Sequence, residues 1–224
     1  MSELKNKTIA EIVSDDISTA AVFKKYHIDF CCGGGKTVEN ACIKANVNVD
    51  EVIHDLINNT PKNNTPNLNF KDWSAVFLTD YIVNVHHTYV KENIEIIHEF
   101  ATKVATVHGH HASETIEIAA LFSKLRDELY AHLNKEETIL FPAIRKKALD
   151  QNYQYDKEVI SILEDEHEHA GDIVKKITQL SNNFETPDWA CNTFKALYFK
   201  LDEFINDLYQ HIHLENNILF SKVT

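Results

Sequence analysis

Residues that break helices are scarce in this chain, with 5 Gly and 4 Pro among 224 positions. So few breakers exclude a fold of many short strands and tight turns, and they favour long helices. No uninterrupted apolar run reaches the roughly 20 residues that a bilayer demands, so no membrane partner is expected. The opening segment MSELKNKTIAEIVSDD lacks the apolar centre of a signal peptide, so a cytoplasmic location is expected. Positive charge is in deficit. With 22 Lys and Arg against 34 Asp and Glu, the net charge of −12 argues against nucleic acid as a partner. Cysteine is sparse too. In the cytoplasm the 4 present read as thiols or ligands rather than as disulfides.

Histidine is abundant, with 13 copies that cluster. The clearest cluster is stated twice, AHLNKEETILF at 131–141 and QHIHLENNILF at 210–220. His132 matches His211, Glu136 matches Glu215, and Ile139-Leu140-Phe141 matches Ile218-Leu219-Phe220, at one offset of 79 residues. A His and a Glu four residues apart lie one turn apart on the same face of a helix.

The rest of the chain supplies elements to carry these pairs. Residues 1–59 read as a small helical domain. Within it Thr8-Ile9-Ala10-Glu11 fits a capping box, and short helices follow at 17–26, 37–47 and 50–57. The polar segment NNTPKNNTPNLN, with Pro61 and Pro66, reads as a linker, placed at 60–70. From 71 to 224, four amphipathic stretches at about 72–107, 112–148, 156–182 and 187–221 predict an up-down-up-down bundle without sheet, with Pro142 kinking the second.

Both His-Glu pairs fall on apolar stripes, His132 with Leu125 and Leu129, and His211 with Leu201, Phe204 and Leu208. Two buried carboxylates without cations would cost several kcal/mol each, by rough estimate, so a metal is implied. The same stripe argument selects His86 (with Val83, Val90 and Ile97) and His167 (with Ile160, Leu163 and Val174) as further ligands. It assigns His87, His169 and His213 to polar faces, and the loop residues His108, His110 and His111 to solvent. The candidate metal set is therefore His86, His132, Glu136, His167, His211 and Glu215. Mixed imidazole and carboxylate with open positions favours iron over zinc, calcium or magnesium, with manganese as the alternative. Glu128, one turn before His132, and Glu166, beside His167, read either as acceptors and proton carriers for catalysis or as solvated charges.

Cys31-Cys32 followed by Gly33-Gly34-Gly35 forms a second candidate site. The glycines let the backbone approach a partner and leave the thiols accessible for a soft metal, for iron or for thiol exchange. Cys42 and Cys191 read as buried core.

The combination of DFCCGGG with a bundle carrying HLNKEETILFP, EDEHEHAG and HIHLENNILF resembles the repair-of-iron-centres family, over nearly the whole chain. The resemblance implies a hemerythrin-like bundle holding two non-haem iron ions per chain, bridged by the two Glu, with an oxo or hydroxo bridge open to them. It further implies a homodimer that restores damaged iron–sulfur proteins under nitrosative or oxidative stress. Iron donation and reaction with nitric oxide or dioxygen are both in scope. Ordinary hemerythrins use five His and this chain offers four, which weakens simple oxygen carriage. The alternatives are a nitric oxide or peroxide reductase at the same centre, and an oxygen or redox sensor. The reductase predicts repeated turnover with an electron donor and no need for Cys31, and the sensor predicts reversible gas binding.

Overall fold

A computed structural model describes residues 2–58 and 68–224. Most of the expected linker lies on residues 59–67, outside the described part. The fold is all-α. Two compact units emerge, one from residues 1–78 with 209–224 and one from residues 79–208.

The first unit begins with α1 (Ser2–Asn6) and α2 (Ile9–Asp15). The capping box is present at α2: Glu11 N–H donates to Thr8 Oγ1 at 3.2 Å, and Thr8 N–H donates to a Glu11 carboxylate oxygen at 2.7 Å. A 3₁₀ turn (Ile17–Thr19) leads into α3 (Ala20–Lys25). Next come α4 (Val38–Ala45), closed by Asn46 at φ 55°, and α5 (Val49–Asn58). The buried Asp55 of α5 is held by Lys25 Nζ at 2.5 Å and by the Tyr26 hydroxyl at 2.8 Å, which satisfies a charge that its apolar face would otherwise reject. An antiparallel bridge, Thr8 with Thr37, ties the start of α2 to the start of α4.

The long helices follow. They are α6 (Ala75–Tyr81) with α7 (Thr88–His108), α8 (Glu114–Lys135) with α9 (Phe141–Leu149), α10 (Glu158–Leu180), and α11 (Asn192–Leu214) with α12 (Phe220–Val223). They form the up-down-up-down bundle. In the second unit each helix buries a stripe at helical spacing. Examples are Val90, Ile94, Ile97, Ala101 and Val104 on α7, and Ile118, Phe122, Leu125, Leu129 and Leu133 on α8. Phe122 and Phe204 meet edge to face at 5.6 Å at the centre of this core.

Three of the long helices are interrupted by π turns, at Ile82–His87, Glu136–Leu140 and Glu215–Leu219. A π turn adds a residue to the coil, rotates the following residues to a new face, and recurs at functional sites. Pro142 cannot donate an amide to the preceding turn, which suits the π turn before it. The matched turn before Ser221 forms without proline, so proline is not what creates it.

Candidate metal centre

The π turns set the positions of the candidate ligands. In the second unit, α6 passes through its π turn and buries both His86 and His87, at 2% and 0% exposure. The polar-face assignment of His87 is therefore corrected. A stripe argument at constant helical steps cannot follow a face through a wider turn. His87 is also the residue placed against Glu136, with Nε2 3.2 Å from Oε2. His86 instead directs Nδ1 at Asp207 Oδ1, 2.9 Å away.

Glu136 opens the π turn after α8 and is fully buried. His132, one turn earlier, places Nε2 3.4 Å from the same Oε2. His132 and His167 face each other through Nε2 atoms 3.0 Å apart, and with Glu136 they offer ligand atoms all within 4.8 Å. Two imidazole lone pairs at that separation share either a proton or a cation. Neither Glu136 oxygen accepts a hydrogen bond from any described residue. A buried carboxylate without donors, faced by imidazole nitrogens, fits a cation far better than an apolar core.

Carboxylates fix the far side of three rings. Besides Asp207 on His86, Glu137 Oε1 lies 2.8 Å from His87 Nδ1, and Glu166 Oε2 lies 2.9 Å from His132 Nδ1. Each carboxylate anchors an Nδ1–H, and for His87 and His132 this leaves Nε2 as the lone-pair donor toward Glu136. The bond from His132, aided by Lys135, holds the Glu166 carboxyl down at about 2 against the opposing effect of its burial. The structure thus gives Glu166 the position of a ring anchor. Glu128 ion-pairs with Lys124 at 3.7 Å and His169 at 3.4 Å on the surface, and is not among the residues gathered with Glu136.

The other half of the repeat lies in the first unit. His211 Nε2 stands 3.0 Å from Glu215 Oε1, with both side chains buried and Glu215 opening its own π turn. His213 is buried as well, which corrects its surface assignment. It serves the cysteine loop. Its Nδ1 lies 3.1 Å from the Asn217 side-chain amide nitrogen and 3.4 Å from the Phe30 carbonyl, and its Nε2 lies 3.2 Å from Ser14 Oγ. Burial holds the His213 imidazole down at about 4, so it is neutral.

The loop itself differs from expectation in one respect. Cys31 is buried and Cys32 half-buried, so only one thiol is accessible. The hydrogen bond to Cys32, burial, and the neighbouring Asp29 all push the Cys31 thiol well up. Gly33 and Gly34 are required by close approach: a Cβ on Gly33 would sit 2.8 Å from Asp29 O, and one on Gly34 2.8 Å from Phe30 O and Asn217 Oδ1. Gly35 meets nothing within 4 Å. Cys42 is buried as expected, whereas Cys191 is exposed, 3.3 Å from His108 Nε2. Its helix α11 begins only at Asn192, which leaves Cys191 outside the packed stripe.

A buried imidazole–carboxylate cluster inside a helical bundle defines this chain as a metal-binding protein of the hemerythrin kind. Residues 79–223 match the hemerythrin HHE cation binding domain, and residues 5–60 match a domain of unknown function, DUF542. The chain is 37% identical to the probable iron-sulfur cluster repair protein of Haemophilus influenzae, covering 96% of this chain and 95% of that one. It is 32% identical to the iron-sulfur cluster repair protein ScdA of Staphylococcus haemolyticus, over 96% of each. With the iron-sulfur cluster repair protein YtfE of an Enterobacter species it shares 34% identity, over 97% of this chain and 96% of that one. The chain belongs to the repair-of-iron-centres family. Among the described residues, no helix is long and apolar enough to cross a membrane.

Proposed function

We propose that this chain is a di-iron protein that repairs iron–sulfur clusters damaged by nitrosative or oxidative stress. The observation that carries the reading is Glu136, a fully buried carboxylate whose Oε2 stands between His87 Nε2 and His132 Nε2. That position suits a carboxylate shared between two cations. The proposed ligands are His87, His132, Glu136, His167, His211 and Glu215, with His87 in place of His86. Four His and two Glu, too few to fill the coordination of two ions, are a set that iron takes readily.

Two irons held by these residues supply a centre that changes oxidation state and accepts a small ligand such as nitric oxide or dioxygen. The chain's own groups set the terms. Glu137 and Glu166 orient His87 and His132 through Nδ1 and leave their Nε2 atoms to face Glu136, while Asp207 holds the adjacent His86. Protonation of Glu136 or Glu215 would weaken the hold on iron and allow its release. The relatives named above are iron-sulfur cluster repair proteins, which supports the same role here. The Cys31-Cys32 loop is proposed to pass iron to or from a client, and the protein to act as a cytoplasmic homodimer.

The test is reactivation of an iron–sulfur enzyme previously inactivated by nitric oxide or peroxide. The iron-loaded wild type should restore activity, and the His132→Ala/Glu136→Ala variant should not. Equal reactivation by the two proteins would refute the reading. Repeated consumption of nitric oxide with an electron donor, without reactivation, would identify a reductase instead.

A further inference from the structure

We propose that Asp29, Cys31 and Cys32 form a second metal site, a carboxylate–dithiolate site for a thiophilic divalent cation, clasped in shape by Asn217. The inference deepens the reading above, on which it rests for Fe²⁺ as the cation carried.

The three side chains offer ligand atoms all within 4.8 Å of one another. The two sulfurs are 3.8 Å apart. Two thiolates bound at about 2.3 Å to one tetrahedral cation would stand roughly 3.8 Å apart, so the pair already has a chelating separation. Adjacent cysteines close a disulfide only with strain, which keeps both sulfurs available as ligands. Asp29 Oδ1 lies 3.2 Å from Cys31 Sγ, and it accepts the backbone N–H groups of Cys31 and Cys32 at 3.0 Å each. These bonds pin the carboxylate beside the thiols. Asp29 is exposed, Cys32 half-buried and Cys31 buried, so the site has one open side for exchange and one closed side.

The loop is preformed rather than slack. The Asn217 amide donates to the Cys31 carbonyl at 2.9 Å, and the Gly34 backbone leaves just enough room for the Asn217 side chain. Phe30, between Asp29 and Cys31, is buried against Tyr209, with ring centroids 5.9 Å apart. His211 and Glu215 are each followed two residues later by His213 and Asn217, on the opposite side of the coil. One short stretch therefore carries ligands on one face and the clasp for the thiols on the other.

Binding is balanced without redox change. The Cys31 and Cys32 thiols each lose a proton to solvent, the cation brings two positive charges, and Asp29 stays ionised. The net charge of the loop is the same before and after.

The experiment uses the full-length, metal-free, reduced protein, titrated anaerobically with Co²⁺. We expect a near-ultraviolet thiolate-to-cobalt absorption that saturates at one cation per chain. It should disappear in Cys32→Ser and weaken on the order of tenfold in apparent affinity in Asp29→Asn. Asn217→Ala, with circular dichroism unchanged, should weaken binding on the order of 10- to 100-fold, as loss of a group that orients ligands does. The absorption should persist in His132→Ala/Glu136→Ala. No such absorption in the wild type, or an absorption indifferent to Asp29→Asn, or one lost with the bundle ligands, would overturn the proposal. Visible cobalt absorption from imidazole and carboxylate ligands reports the bundle separately. Its absence from the wild type would refute the bundle reading while leaving the loop site standing.

Discussion

His87 Nε2 lies 3.2 Å from Glu136 Oε2, and neither side chain reaches solvent. The neighbouring His86 is equally buried, and its Nδ1 is held by Asp207 as that of His87 is held by Glu137, so what distinguishes His87 is the approach of its Nε2 to Glu136. In the proposed ligand set the two adjacent histidines therefore have different roles. His87→Ala should remove about half of the bound iron, because one of the two ions loses its imidazole. His86→Gln should leave the iron content unchanged. Metal analysis after anaerobic loading decides between them, and the reverse pattern would restore His86 as the ligand.

Glu166 anchors His132 from outside the cluster. Glu166→Ala should lower iron affinity on the order of 10- to 100-fold without abolishing binding. Competition with a chelator of known affinity measures the change. An unaltered affinity would reduce Glu166 to a surface partner of Lys135.

The glycines of the cysteine loop divide by what surrounds them. Gly34→Ala drives a methyl into Phe30 O and Asn217, and should destabilise the first unit by about 1–3 kcal/mol. Gly35→Ala meets open space and should stay within about 0.5 kcal/mol of wild type. Denaturant unfolding of the two variants compares them directly.

Alkaline pH should weaken the bundle through tyrosine. Burial pushes both Tyr89 and Tyr198 up to about 12 from an ordinary value near 10. An acid whose folded value lies above its unfolded value stabilises the fold while it keeps its proton. That contribution is complete below about 10 and is lost as pH rises from there toward 12. The melting temperature should fall across this window, and Tyr89→Phe/Tyr198→Phe should flatten the fall. An identical slope in the double variant would assign the loss to other groups.

Much of this was legible in the residues. The four amphipathic stretches, the capping box at Thr8, and the repeated His-x-x-x-Glu were all visible, because each depends on local spacing. The burial of His132, Glu136 and His167 was readable because their stripes run through regular helix up to each of these positions. The burial of His87 was not readable because Ile82–His87 winds as a π turn, and constant helical steps assign faces wrongly beyond its start. The same effect leaves Ile139, three residues after Glu136, 54% exposed. His213 was missed for another reason. Its partners Ser14 and Asn217 are polar, so no apolar stripe could announce its burial. The signal available was its place midway between His211 and Glu215. The pairing of Asp29 with the thiols was likewise unreadable, since it rests on backbone bonds within an irregular loop.

The most direct test of the account is the iron content of the full-length protein after anaerobic loading and removal of loose metal, for wild type and for Glu136→Ala. Two irons per chain in the wild type and a loss of both in Glu136→Ala are the predicted result, since that carboxylate is taken to be shared. Two irons retained by Glu136→Ala, or none held by the wild type, would contradict it.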